Sequence, residues 1–362
     1  MAERVGKLGK RVEQPAMTKT DRVHAAREIS EQGMVLLKNI GILPLKPGLS
    51  IAVSGDSASR PRIQGGGSAQ VVTEELTSPL SALIAALGDG SVSYTIGAEL
   101  LNDCATFSAG QMTNPETSEP GCQVRFFAKS GEQVGFEHRN STMLIWNDDL
   151  GYSPDRVEVE FLLDVSAVET ADFAIGAATV NKFELQVDCE TVLRRDVMGE
   201  YHDIAEATLQ PPTLGTKIDL KGRKVIRVKA IVTEAGVPEV HGAVSIMVGE
   251  VARNDDPQAL IDRAVEKAKK ADVAIVVVGT TSAVESEGFD RQSIKLPGHQ
   301  DELVRAIARA NLNTVVVVNS GSPVDMPWRD DVAAILVSWF GGQEMGPCLL
   351  YTSPSPRDRT RS

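Results

Sequence analysis

Two carboxylates, a glycine and an oppositely charged pair are crowded into Val284-Glu285-Ser286-Glu287-Gly288-Phe289-Asp290-Arg291. A carboxyl group on a loop is a candidate general acid or base once its surroundings tune its pKa. The segment just upstream, Val273-Ala274-Ile275-Val276-Val277-Val278-Gly279, is continuously apolar and reads as a buried strand. In α/β proteins, the loop leaving the C-terminal end of such a strand is where ligands and chemistry sit. A solvated acidic loop is the competing reading, and position alone leaves both open.

Other candidate sites are sparser. Gln64-Gly65-Gly66-Gly67-Ser68-Ala69 concentrates backbone freedom, which marks close approach to a ligand or a special turn, with a plain surface loop as the alternative. It lacks the Lys-Ser/Thr ending of a phosphate-binding loop, and no GxGxxG opens a helix, so nucleotide binding is disfavoured. Cys104, Cys122, Cys189 and Cys348 show no CxxC or Cys/His spacing, and the five histidines are scattered, so neither a metal site nor a cofactor is expected. Cys104 and Cys122 are candidates for a disulfide. Free thiols are the expected state, because a core of this size needs no covalent staple.

Around these residues the chain has 362 positions, enough for two domains or one domain with a large insertion. Its 42% hydrophobic and 24% charged residues suit a folded globular protein. A net charge of −12 disfavours a nucleic-acid surface, and no apolar run is long enough to span a membrane. The charged N-terminus does not read as a signal peptide.

The spacing predicts a helix from Arg22 to about Lys38, capped by Thr20 or Asp21, then a strand at Ile51-Ala52-Val53. Ser78-Pro79 starts a second helix that Gly88 ends, and Val92, Tyr94 and Ile96 alternate as a strand. From about Gly121 to Val251 helical periodicity gives way to short alternating runs, the pattern of an antiparallel β-sandwich or barrel. Asp256-Pro257 and Pro297-Gly298 then lead into amphipathic helices, and buried strands follow at 314–318 and 334–337. The predicted fold class is α/β, a mostly parallel sheet covered on both faces and interrupted by an inserted all-β sandwich. Residues 348–362 have no periodicity and read as a non-native tail.

Several blocks, in order, resemble the non-barrel part of family 3 glycoside hydrolases, the β-glucosidase family. They are Ala26-Arg27-Glu28-Ile29, Val35-Leu36-Leu37-Lys38-Asn39, Leu43-Pro44-Leu45, Gly65-Gly66-Gly67-Ser68-Ala69 and Ser78-Pro79-Leu80. The series continues with Glu287-Gly288-Phe289-Asp290-Arg291, Leu296-Pro297-Gly298, Asn319-Ser320-Gly321-Ser322-Pro323-Val324, Pro327-Trp328 and Trp339-Phe340-Gly341-Gly342-Gln343-Glu344. The β-rich insertion resembles a PA14 domain, with Phe183–Asp196 as its central hairpin.

The resemblance implies an α/β-sandwich domain at 22–118 and 252–347, a PA14-like domain at 119–251, and a linker at 1–21 leaving a (β/α)₈ barrel. That barrel would carry the aspartate nucleophile, for which no Ser/Thr-Asp-Trp segment exists here. Met1 is then internal to a longer chain, although some family members place the barrel after this segment. The implied activity is retaining hydrolysis of terminal β-D-glucosyl residues, by two carboxyls about 5–5.5 Å apart. Glu287 is the implied acid/base, with Glu285 the rival two residues earlier. Gly66, Gly67 and Ser68 would lie near the sugar, and Phe183 is either an aromatic platform or a core residue. Asp290 and Arg291 would line the site or fix the loop, or form a solvated ion pair. Asp148-Asp149 matches the calcium pair of sugar-binding PA14 domains, with a plain turn favoured. The implied partners are a β-glucoside and the barrel. Another exo-β-glycosidase, such as a β-xylosidase, or a non-catalytic carbohydrate-binding protein is the alternative. Localisation is left open.

Overall fold

The computed structural model describes residues 17–351 apart from 66–70, 72, 74–75, 101–103, 147–153, 166–172, 202–206, 209–210, 221, 236–243, 254, 283 and 286–289. Glu287, Gly66, Gly67, Ser68 and the Asp148-Asp149 pair therefore lie outside the described residues.

The first helix is Lys19–Gly33, and its cap is Thr18, two residues before the earlier predicted candidate. The Thr18 hydroxyl accepts from the Asp21 amide while the Asp21 carboxylate accepts from the Thr18 amide, a reciprocal box that satisfies two orphan donors. The helix ends earlier than the sequence predicts. Met34 is extended, and Val35–Asn39 forms an edge strand antiparallel to Ala334–Val337. Val35 and Leu36 fit helical spacing, but pairing with a buried strand outweighs local periodicity.

The central sheet has the strand order Val35–Asn39, Ala334–Val337, Thr314–Asn319, Val273–Gly279, Ile51–Ser54, Val92–Thr95. All neighbours after the first pair are parallel. Alternate residues of each strand feed opposite faces. Val276, Val278, Val316 and Val318 meet the helices Pro257–Ala268 and Gln300–Ala310, whereas Val277, Ile275, Val315 and Val317 face the helix Pro79–Leu87. Burial on both faces explains why these strands read as unbroken apolar runs. The caps at Ser78 and Asp256 form as predicted, each accepting a backbone N–H and each followed by proline.

Between these segments lie two antiparallel sheets. One joins Thr213–Ile218, Phe173–Ala178, Val244–Glu250 and Ala105–Thr106, with Met143–Trp146 also on Val244–Glu250. The other joins Glu190–Arg195, Lys182–Val187, Val225–Thr233, Arg156–Asp164, Cys122–Phe127 and Gln133–Arg139. One core fills the space between them, Phe126, Phe161 and Val228 from the second sheet meeting Leu144, Ile175 and Ile246 from the first. The all-β unit begins earlier than residue 119, because Thr106 pairs with Gly249 and Met112 with Leu163. The hairpin over 182–195 turns through Asp188 and Cys189, both at positive φ, the backbone a two-residue turn between twisted strands requires.

The boundary expected at residue 347 falls inside a helix, Met345–Tyr351. Cys348 on it is fully buried against Met34 and Leu336. Residues 352–362 lie outside the described residues. No helix among the described residues is long and apolar enough to cross a membrane.

The two units are joined by charge. Arg60, just after the strand Ile51–Ser54, pairs with Asp56 and reaches Glu250 at the end of a sandwich strand (2.6 Å). The other Asp56 oxygen accepts from the Leu100 amide at the crossing point (3.0 Å). Burial pushes the Glu250 carboxyl up, with Arg60 pulling against it. Burial also opposes the Arg60 charge, but Asp56 and Glu250 outweigh it and leave the guanidinium more firmly protonated than an ordinary arginine.

Replacing Glu250 by alanine leaves Arg60 short of a partner in a largely buried place. The expected loss is about 2–3 kcal/mol in urea unfolding, below the roughly 3–5 kcal/mol of a fully buried pair because both side chains keep some exposure. All four cysteines are free thiols, three buried and Cys189 exposed. Burial pushes the Cys122 thiol up to about 12. A disulfide-exchange reagent should titrate one thiol, Cys189, in the folded chain and four after unfolding.

Candidate functional site

The strand Val273–Gly279 ends in a closed hydrogen-bond set. Gln300, buried at the start of its helix, accepts from the Gly279 amide and donates to the Gly279 and Pro297 carbonyls (2.8, 2.8 and 2.9 Å). The chain then turns through Thr281, whose carbonyl accepts from the amides of Val284 and Glu285.

Glu285 faces inward. Its Oε2 accepts from Thr280 Oγ1 (2.9 Å) and the Gly321 amide (2.7 Å). Its Oε1 accepts from Arg291 Nη1 (3.0 Å), the Ser322 amide (3.1 Å) and the Ser322 hydroxyl. The side chain is 11% exposed. Five donors on two oxygens leave this carboxylate little room to accept anything further. The rival to Glu287 is therefore a loop anchor.

Arg291 is a brace. Its Nε donates to the Ser293 carbonyl, Nη2 to the Lys295 carbonyl, and Nη1 to Glu285, Ser322 Oγ and the Pro323 carbonyl. These bonds engage all three nitrogens, and 13% of the side chain is exposed. It pairs with Glu285 rather than with Asp290, which is exposed on the loop.

Sequence reasoning gave Asn319 no role, yet it ties the site together. It is fully buried at the end of the strand Thr314–Asn319. Its Oδ1 accepts from the Arg62 amide (2.7 Å), and its Nδ2 donates to the carbonyls of Arg62 (2.8 Å) and Trp339 (2.7 Å). Three loops thus meet on one amide. Trp339 sits at φ +53°, a left-handed backbone rare for a bulky residue, and its bonded carbonyl helps hold it there. The one available signal was the small polar run Asn319-Ser320-Gly321-Ser322 directly after an apolar strand. An added Cβ at Gly321 would lie 2.4 Å from the Phe340 ring and 2.9 Å from Glu285 Oε2, so these side chains would have to shift.

The glycine-rich segment is pinned at its flanks. The Gln64 amide donates to the Val71 carbonyl (2.8 Å) and accepts from the Val71 amide (3.0 Å), closing the base of the loop beside Arg62. A shallow apolar cavity of about 180 Å³, lined by residues including Val35, Leu37, Met326 and Trp339, lies next to this edge and presents no titratable group.

Phe183 is not an aromatic platform. It is 2% exposed in the sandwich core, with the Arg195 guanidinium 5.2 Å from its ring centre. Strand alternation settles this, because Phe183, Leu185 and Val187 all point inward. Among the described residues no three His, Cys, Asp or Glu side chains are grouped to hold a metal ion.

Replacing Asn319 by leucine strands one buried N–H and two buried carbonyls. The expected cost is about 3 kcal/mol of stability, roughly 1 per lost partner. Limited proteolysis should then cut near residues 60–65 faster than in the wild-type chain.

The sequence profile of the glycosyl hydrolase family 3 C-terminal domain matches residues 34–351. The chain is 30% identical over 339 residues to a β-glucosidase of Rhizobium radiobacter, covering 89% of this chain and 39% of that protein. It is 29% identical over 355 residues to β-glucosidase B of Emericella nidulans, covering 92% and 40%. The crystal structure of a β-glucosidase from Kluyveromyces marxianus in complex with glucose superposes with a TM-score of 0.74 at 25% identity, covering 96% of this chain and 43% of that one. The chain spans about two fifths of the length of these relatives.

Proposed function

Because the chain belongs to glycosyl hydrolase family 3 and carries its C-terminal domain, we propose that it is the acid/base half of a retaining β-glucosidase, with Glu287 as the proton donor. The observation that carries this reading is the saturation of Glu285. Of the two glutamates on the loop leaving Val273–Gly279, one is spent on five hydrogen bonds inside the domain. Glu287, two residues on, is the carboxyl left to meet a ligand.

In the first step Glu287 protonates the glycosidic oxygen while a carboxylate nucleophile forms the glycosyl-enzyme; in the second, Glu287 takes a proton from the water that releases the sugar. The nucleophile is an aspartate on a (β/α)₈ barrel elsewhere in the same polypeptide. A barrel packed on this edge of the sheet would desolvate Glu287 and raise its pKa toward that of an acid at neutral pH. Gly66, Gly67 and Ser68 would face the same cleft, where small residues permit close approach, and exposed Asp290 would sit at its rim. The β-sandwich, read as a PA14-like insertion, would wall the side of the cleft beyond the cleaved bond. Two carboxyls and water balance this chemistry without a cofactor.

The 362-residue chain alone should therefore show no turnover of an aryl β-glucoside, and robust hydrolysis by it would sink the assignment. In the full-length polypeptide, Glu287→Ala should lower kcat about 10²–10⁴-fold on a substrate that needs leaving-group protonation. Added azide should restore turnover of an activated aryl glucoside, because a small anion can attack the glycosyl-enzyme without general-base help.

A further inference from the structure

We infer that Glu285 is a positioning residue for the acid/base, the centre of a latch fastening the Glu287 loop to the loop after the neighbouring strand. This rests on the reading of Glu287 above. The strands Val273–Gly279 and Thr314–Asn319 are parallel neighbours, so their outgoing loops leave side by side. Glu285 accepts from the Gly321 and Ser322 amides of the second loop, and from Thr280 and Arg291 at the two ends of its own. Glu285 and Arg291, which flank residues 286–290 in the chain, are therefore both fixed points. Arg291 is fixed in turn by the Pro323, Ser293 and Lys295 carbonyls. The Ser322 hydroxyl joins the halves, accepting from Arg291 and donating to Glu285.

The latch is backed from behind. The Phe340 ring packs closely on Gly321, so a Cβ there would displace the ring or the Glu285 carboxylate. The 320–323 loop follows Asn319, which the amide network holds. A carboxylate is suited to this place, since it accepts two backbone N–H groups, a hydroxyl and a guanidinium at once. Glutamine offers one carbonyl oxygen and brings donors of its own that face donors. Loops that carry an acid need such support, because misplacement by about 1 Å costs on the order of 10²-fold in rate.

The test has two arms. In the 362-residue chain, hydrogen exchange at the Gly321 and Ser322 amides should rise at least tenfold in Glu285→Ala and less in Glu285→Gln, while the strand Thr314–Asn319 stays protected. If Glu285→Ala fails to fold, Ser322→Ala loosens the same amides by removing one hydroxyl. Unchanged protection in these variants overturns the latch.

In the full-length polypeptide, Glu285→Ala should lower kcat about 100-fold with KM within a few-fold. Glu285→Gln should recover part of the loss, the pH profile should keep its alkaline limb, and azide should not rescue. Full activity in Glu285→Ala overturns the positioning role. Azide rescue of Glu285→Ala would make Glu285 the acid/base and overturn it too. Full activity in Glu287→Ala would instead sink the Glu287 reading alone, and the exchange arm would still decide the latch.

Discussion

One buried amide, that of Asn319, holds the loops at the C-terminal edge of the sheet in register. A parallel sheet brings its outgoing loops to one edge but does nothing to hold them against one another. Asn319 does so by pairing with both backbone groups of Arg62 and with the carbonyl of Trp339. A side-chain amide carries donors and an acceptor in one plane, so it can imitate a piece of β-ladder where no strand is available. In a site closed to water, each of these bonds is costly to lose.

On this footing Glu285 takes the part of an anchor. Glu285 is enclosed by donors, and its charge is an asset because every neighbour points a hydrogen at it. A proton donor needs the reverse, an open side facing the cleft and few partners inside its own domain. Environment, rather than residue type, separates an anchor from an acid.

The inserted sandwich is coupled to the same framework at its base. Arg60, two residues before the backbone that Asn319 grips, also reaches Glu250 at the end of a sandwich strand. The glycine-rich loop, the amide network and the seam between the units thus share a single stretch, residues 56–65.

Much of this was legible in the sequence. Continuous apolar runs at 273–278, 314–318 and 334–337 with capped helices between them determined a covered parallel sheet, because a strand buried on both faces has no polar side to show. The alternating runs after Gly121 determined a β insertion, and the ordered blocks determined the family. What the sequence could not show depends on long-range partners. Val35 and Leu36 fit a helix until the antiparallel edge of the sheet claims them, and Ala105–Thr106 is too short to read as a strand until Gly249–Glu250 pairs with it. Phe183 looked available to a ligand until alternation was counted against a core on the inner face. Glu285 and Glu287 are equal as letters two positions apart, and only the fold puts Glu285 opposite Gly321 and Ser322, thirty-odd residues along the chain. Local chemistry is written in the residues; which groups meet across the sheet edge is decided by folding, since only there do distant donors find one carboxylate.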